Sequence, residues 1–78
     1  MLTEEQIKKN VHIPLNEIEQ DIKDTQAEID QYKNELVALR KNPQENRLSI
    51  YMNEGRILKR EEFIENLKTI MVYKTKNY

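Results

Sequence analysis

A regular heptad pattern between residues 14 and 41 is the feature that most constrains what this chain can fold into. Large, mainly hydrophobic side chains recur there at alternating intervals of three and four: Leu15, Ile18, Ile22, Thr25, Ile29, Tyr32, Leu36 and Leu39. Charged and amide residues occupy nearly every position between them. Such a pattern predicts one long helix with an apolar seam. At 1.5 Å per residue this helix would be about 42 Å long, so it needs a companion of similar length.

Signals for the end of this helix and the start of another follow directly. Arg40 and Lys41 are cations at the position where the negative end of a helix dipole favours positive charge. Asn42 can cap a second helix that has Pro43 in its first turn. The pattern therefore predicts a first helix over residues 14–41 and a second helix that begins at Pro43.

The second helix, predicted over residues 43–72, carries its own apolar series. The members recur at intervals of seven: Ile50, Ile57, Ile64 and Met71. Antiparallel pairing of the two series has its midpoint at the predicted turn, as a helical hairpin with a short connection requires. We therefore predict an all-α fold, a coiled-coil-like antiparallel helical hairpin that forms a single domain over residues 1–78.

A parallel dimer of the first helix is an alternative use of the same seam. Glu28 and Lys33, like Glu35 and Arg40, have the spacing of attractive flanking pairs between two parallel helices. The second helix would then pack on the outside of this dimer.

The two ends of the chain carry weaker signals. Thr3 and Gln6 have the spacing of a capping box, which predicts a short helix within residues 1–13. Pro14 disfavours helical angles at the residue before it and can open the next helix. Residues 73–78 are mostly polar and are predicted to fray.

The stretch around Gly55 allows a different local structure. Residues 48–52 and 56–60 could form two strands joined by a three-residue loop with Gly55 in a left-handed conformation. An isolated two-stranded hairpin is marginal in water, and the helix start at Asn42 favours a helix instead. A helix that continues through Gly55 loses about 1 kcal/mol relative to alanine. We therefore place any kink or local break near this residue.

The residue inventory argues against an enzyme. The 78 residues include no cysteine, one histidine, one glycine and one serine, so candidates for a nucleophile or a base are few. His12 has no second histidine and no cysteine to complete a metal site. We therefore predict a non-enzymatic protein without catalytic residues, metal or cofactor. With no long apolar run and no signal-peptide pattern, the chain is expected to be cytoplasmic and not to contact a membrane.

The two halves of the chain carry opposite charge. Residues 1–39 have four Lys/Arg against nine Asp/Glu, whereas residues 40–78 have nine against five. Folding back would let the halves neutralise each other. The alternative is a small nucleic-acid-binding protein that uses the basic segment 40–60, although glutamates interrupt that segment. The candidate residues for this alternative are Arg47, Arg56, Lys59 and Arg60.

Several large apolar residues of the second helix lie outside its seam. Leaving them in water exposes more apolar surface than monomers usually tolerate, and a lone two-helix hairpin has a thin core. We therefore predict a homo-oligomer, with a dimer as the expected state and a helical bundle as the assembly. The expected role is that of a small regulator or adaptor that also binds another protein. The predicted contact residues are Tyr51, Met52, Leu58, Phe63 and Ile70.

Overall fold

The computed structural model describes residues 2–76 and contains three helices, α1 (Glu4–Asn10), α2 (Leu15–Leu39) and α3 (Arg47–Lys76). α2 and α3 pack against each other as an antiparallel pair, and α1 contacts α3. No β-strand occurs within residues 2–76. The structure confirms the predicted all-α helical hairpin with a short N-terminal helix, whereas assembly into a bundle stays a prediction.

α1 begins at the predicted capping box. The Thr3 hydroxyl oxygen accepts a hydrogen bond from the Gln6 amide at 3.2 Å, and the Gln6 side-chain oxygen accepts one from the Thr3 amide at 3.0 Å. Two of the amides that lack partners in a first helical turn are satisfied in this way. α1 ends at Asn10, and α2 begins one residue after Pro14, whose carbonyl accepts the first helical hydrogen bonds of α2.

The heptad seam of α2 faces α3. Its Ile22, Tyr32 and Leu39 are half-buried, whereas Leu15 at the N-terminal end is exposed. Because the burial follows the alternating intervals of three and four, the predicted seam is the packing surface. Its buried members are Ile18, Thr25, Ile29 and Leu36.

The core consists of two hydrophobic clusters along this interface. The cluster nearer the turn is formed by Ile29, Leu36, Ile57 and Ile64. The second cluster lies at the opposite end and is formed by Ile18, Leu67 and Ile70, with Leu2 and Ile13 packed against it. Ile22 packs against both clusters and connects them. The N-terminal segment therefore supplies part of the core at the end remote from the turn.

The connection between α2 and α3 differs from the predicted one. The second helix begins at Arg47 and not at Pro43, and the first ends at Leu39. Asn46 explains the difference, because its side-chain amide donates a hydrogen bond to the Leu39 carbonyl at 3.1 Å. This carbonyl is one of the acceptors that a helix C-terminus leaves unpaired. Residues 40–46 are thereby held as a turn that precedes α3.

α3 is continuous from Arg47 to Lys76, so neither the strand alternative nor a break near Gly55 is found. The helix is retained because Ile50 and Ile57, on either side of the glycine, pack into the same cluster against α2. In two strands joined by a three-residue loop, successive side chains point to opposite faces of the sheet. Ile50 and Ile57 would then lie on different faces and could not both contact α2.

The C-terminal end of α3 extends beyond the predicted helix end at residue 72. Residues 73–76 are helical, while residues 77 and 78 of the predicted frayed tail lie outside the described residues. The Lys74 ammonium donates hydrogen bonds to the carbonyls of Val11 and Ile13, at 2.6 and 2.5 Å. These charge-assisted bonds join the last turn of α3 to the chain between α1 and α2, and so oppose fraying.

Gly55 offers a test of whether α3 is continuous. A β-carbon added there meets nothing within 4 Å, and the residue lies inside a regular helix. Gly55→Ala is therefore expected to stabilise the chain by about 0.5–1 kcal/mol, because alanine loses less backbone entropy on folding. Urea denaturation followed by circular dichroism measures the change. Ala27→Gly, on an exposed position of α2, is the reciprocal control and should destabilise by a similar amount. A loss of stability in Gly55→Ala would contradict a helical conformation at this position.

Candidate interaction surfaces

The hairpin is a thin plate of 51 × 22 × 14 Å, so its two broad faces are the surfaces available for contacts. One face carries a group of polar and aromatic side chains, which we call the cluster face: Glu28, Tyr32, Glu35, Asn53, Arg56 and Arg60. The other face carries a groove between α2 and α3, and we call it the groove face. The two faces differ in chemistry, as the following contacts show.

Asn53 lies at the centre of the cluster face and is buried. Its side-chain amide nitrogen donates a hydrogen bond to the Glu35 carboxylate at 3.0 Å. Its side-chain oxygen accepts one from the Arg56 guanidinium at 2.9 Å. A polar residue in the middle of an apolar seam is more effective at fixing register than at adding stability. Asn53 therefore adds a specific polar contact between α3 and α2 within the apolar seam.

Arg60 joins the same group from the next turn of α3. Its guanidinium donates a hydrogen bond to the Glu28 carboxylate at 2.7 Å and lies 4.8 Å from the centre of the Tyr32 ring. The hydrogen bond to Glu28 raises the pKa of Arg60, an effect that burial partly opposes. Arg56 also lies over the Tyr32 ring, at 5.7 Å. The positive half of the chain thus meets the negative half at this face through hydrogen-bonded and cation–π contacts.

The four basic residues named for nucleic-acid binding do not form one surface. Arg56 and Arg60 are half-buried and bonded within the hairpin. Arg47 and Lys59 are exposed, but at about 100° per residue they point about 120° apart on α3. Two of the four cations are therefore already paired with groups of the chain itself.

The five predicted contact residues separate into three locations. Tyr51 and Leu58 are exposed on one side of α3. Met52 and Phe63 are also exposed, but at about 100° per residue they point some 120° or more from Leu58. Ile70 is one of the predicted contact residues but is buried, with only 4% of its surface exposed. Leu2 and Ile13 of the N-terminal segment cover the end of the interface where it lies, and helical periodicity in α3 alone does not reveal that cover.

The groove face contains exposed apolar residues that periodicity did not identify. Val37 on α2 is 64% exposed, close to the 67% of Leu58 on α3, and Val72 is half exposed near the far end. Val37 lies next to the seam residue Leu36, so the seam pattern alone treats it as a solvated flank. The sequence does contain a signal for this surface, because Val37 is an apolar residue at a heptad position that flanks the seam.

The groove runs along most of the hairpin. It consists of three shallow depressions that adjoin one another. The depression at the turn end and the middle one share Lys33, Leu58 and Glu61. The middle depression and the one at the far end share Lys68. From residue 19 to residue 40 of α2 it is about 32 Å long at 1.5 Å per residue. Its apolar lining consists of Ile22, Ile29, Leu36, Val37, Ile57, Leu58, Ile64, Met71 and Val72.

Neither a metal site nor a membrane-spanning element is found in the part of the chain that the structure describes. Over residues 2–76, no group of three His, Cys, Asp or Glu side chains is placed to hold a metal ion. None of the helices described there has a stretch long and apolar enough to cross a bilayer. Compared with known proteins, the chain matches no protein-family profile, no curated protein and no solved structure.

Ile70 and Leu58 allow the core to be distinguished from the exposed surface. Ile70→Ala is expected to destabilise the chain by about 3 kcal/mol, because it leaves a cavity in a closed cluster. Leu58→Ala removes a mostly exposed side chain and should cost less than about 1 kcal/mol in the monomer. Urea denaturation at low protein concentration measures both. Equal losses in the two variants would mean that Ile70 is not part of the core.

Asn53 and Asn34 provide a matched test of the cluster face. Asn34 is exposed on α2, so Asn34→Ala records the change in helix propensity alone. Asn53→Ala also removes the hydrogen bonds to Glu35 and Arg56, and should be less stable than Asn34→Ala by about 1–2 kcal/mol. Thermal denaturation of the two variants under one set of conditions gives the difference. Equal stabilities would show that the Asn53 bonds contribute nothing to the fold.

Proposed function

We propose that this chain is a non-enzymatic protein-interaction module, a small helical regulator or adaptor that self-associates and binds another protein. The observation that carries the proposal is the row of exposed apolar side chains on the groove face, above all Val37 and Leu58. A contiguous apolar surface with a charged rim is typical of a protein contact site. An antiparallel helix pair with an open groove is also a common acceptor for a further helix.

The thinness of the hairpin adds a stability argument. Only seven hydrophobic residues of the described chain are buried, and chains of this size gain little from a single core. Covering the groove face would also bury the exposed apolar side chains of Val37, Leu58 and Val72. Association therefore stabilises the fold and creates a contact at the same time.

The proposed role is to occupy another protein's surface without chemistry of its own. The cluster face contributes rigidity to this role, since Asn53 and Arg60 hold the two helices in register. A chain without cysteine uses no disulfide, which fits the reducing conditions of the cytoplasm as its proposed location. The nucleic-acid alternative has less support, because Arg56 and Arg60 are bonded within the hairpin.

Sedimentation equilibrium tests self-association and the surface that mediates it. The native chain should have a mass above the 9.4 kDa of the monomer, and Leu58→Asp should shift it toward the monomer because a carboxylate would be buried at the interface. Leu48→Asp is the matched control: Leu48 is 72% exposed but is not part of the groove. Circular dichroism verifies that both variants remain helical.

A native chain that stays monomeric to millimolar concentration would refute self-association. If Leu58→Asp and Leu48→Asp lower the mass equally, the contact does not involve the groove face in particular.

A further inference from the structure

We propose that the groove face binds a second copy of this chain, with a twofold axis that runs along the groove so that α2 of each copy lies over α3 of the other. The inference rests on the proposed function, since it specifies the partner and the geometry of the self-association. It is carried by the arrangement of charges on the two rims of the groove, together with the apolar residues between them.

The rims of the groove carry opposite charges at the turn end and in the middle. At the turn end, Arg40 of α2 pairs with Glu54 of α3 at 3.4 Å. In the middle, Lys33 of α2 and Glu61 of α3 line the same two depressions. The α2 rim is therefore positive and the α3 rim negative over these two levels.

At the far end of the groove the α2 rim carries both signs. Glu19 and Lys23 of α2 and Lys68 of α3 line the same depression there. Each of the three levels thus contains an α2 side chain and an α3 side chain of opposite sign, and at the far end these are Glu19 and Lys68.

A twofold axis parallel to the helices exchanges the two rims and keeps every residue at its own level. Lys33 of one copy then meets Glu61 of the other, and Glu19 meets Lys68 in the same way. The exposed Val37 and Leu58, which line one depression, also meet across this axis. The charge pattern within one chain is therefore repeated between two copies, as an isologous contact requires.

Two groove faces can also be placed together by a twofold axis perpendicular to the helices, but charge repulsion makes this arrangement unfavourable. A twofold axis perpendicular to the helices lays α3 of one copy against α3 of the other, in reverse. The middle depression contains Glu61, Glu62 and Glu65, so these carboxylates would oppose the same carboxylates of the second copy. Like charges placed opposite each other in a contact disfavour it.

The size of the face fits a second copy. The groove is about 32 Å long at 1.5 Å per residue on a face 22 Å wide, an area on the order of 700 Å², and a standard protein contact uses about 800 Å² per partner. Two hairpins stacked in this way form a four-helix bundle with each pair of facing helices antiparallel. The cluster face and α1 remain on the outside of this bundle.

Complementary charge reversals test this geometry. Lys33→Glu and Glu61→Lys each replace two attractive pairs of the symmetric dimer by two repulsive ones, and should each raise the dimer dissociation constant about tenfold. An equimolar mixture of the two variants restores both pairs between unlike copies. It should therefore form a 1:1 heterodimer with a dissociation constant near that of the native dimer, measured by sedimentation and native mass spectrometry. Lys59→Glu, an exposed change outside the groove, is the control and should leave the constant unchanged.

The mixture separates contacts between copies from contacts within one chain. In each single variant the two residues across the groove carry like charges, and this stays true in the heterodimer. Recovery in the mixture can therefore come only from pairs between copies. Recovery in the double variant Lys33→Glu/Glu61→Lys is also expected, but pairs within one chain would explain it equally well.

A single cysteine provides an independent measurement of the axis. Since the chain has no cysteine, Gln44→Cys in the turn places one spin label on each copy. With facing helices about 10 Å apart, the proposed axis puts both turns at one end and the labels within roughly 20–30 Å of each other. The perpendicular axis would separate them by nearly the 51 Å length of the hairpin.

The outcomes distinguish this inference from the proposed function. A native dimer that neither charge reversal weakens, or whose labels lie near 50 Å apart, would overturn the proposed axis and leave self-association intact. A native chain that is monomeric throughout would overturn both. Heterodimer recovery together with the short label distance would support the proposal.

Discussion

The packing of Ile29 and Leu36 of α2 against Ile57 and Ile64 of α3 is the contact on which the rest of the structure depends. Neither helix could persist alone in water at useful stability, because helices gain most of their stability from burying an apolar face. The hydrophobic contact therefore holds both helices as helices, and also keeps α3 continuous through Gly55. Every other feature, including the two faces of the plate, follows from this pairing.

Apolar packing alone leaves the register of the two helices weakly defined, since a shift by one heptad would still bury isoleucine against isoleucine. The cluster face resolves this degeneracy. Asn53 reaches Glu35, and Arg60 reaches Glu28 while lying over Tyr32. A shift by a heptad toward the N-terminus of α2 would still offer Asn53 a carboxylate, that of Glu28. It would replace Tyr32 by Thr25, however, and so remove the ring that lies against the Arg60 guanidinium. The opposite charges of the two halves of the chain are thus used locally, at specific hydrogen bonds.

The two faces of the hairpin are consequently unequal. On the cluster face, polar contacts join the two helices, and a depression lined by Leu39, Met52 and Arg56 stays open near the turn. At the far end Lys74 bonds the N-terminal segment in place. On the groove face nothing in residues 2–76 covers Val37 and Leu58, which stand among paired charges. The groove face is therefore the one that we propose for a further partner. The proposed module therefore combines a rigid side with a side open to contact.

The sequence by itself determined the helices, their seam and their antiparallel pairing, because these depend on local periodicity, capping groups and a turn signal that lie close together in the chain. The capping box at Thr3 and the buried seam of α2 are direct consequences. Only the tertiary structure decided that Ile70 is core and that Val37 belongs with Leu58, since both facts depend on which segment covers which side of a helix. The Asn46 bond to Leu39 and the Lys74 bonds to Val11 and Ile13 likewise join residues whose proximity no periodic pattern encodes. These contacts form only when the chain folds back on itself. The spacing of residues along the chain carries no information about which group each side chain will bind.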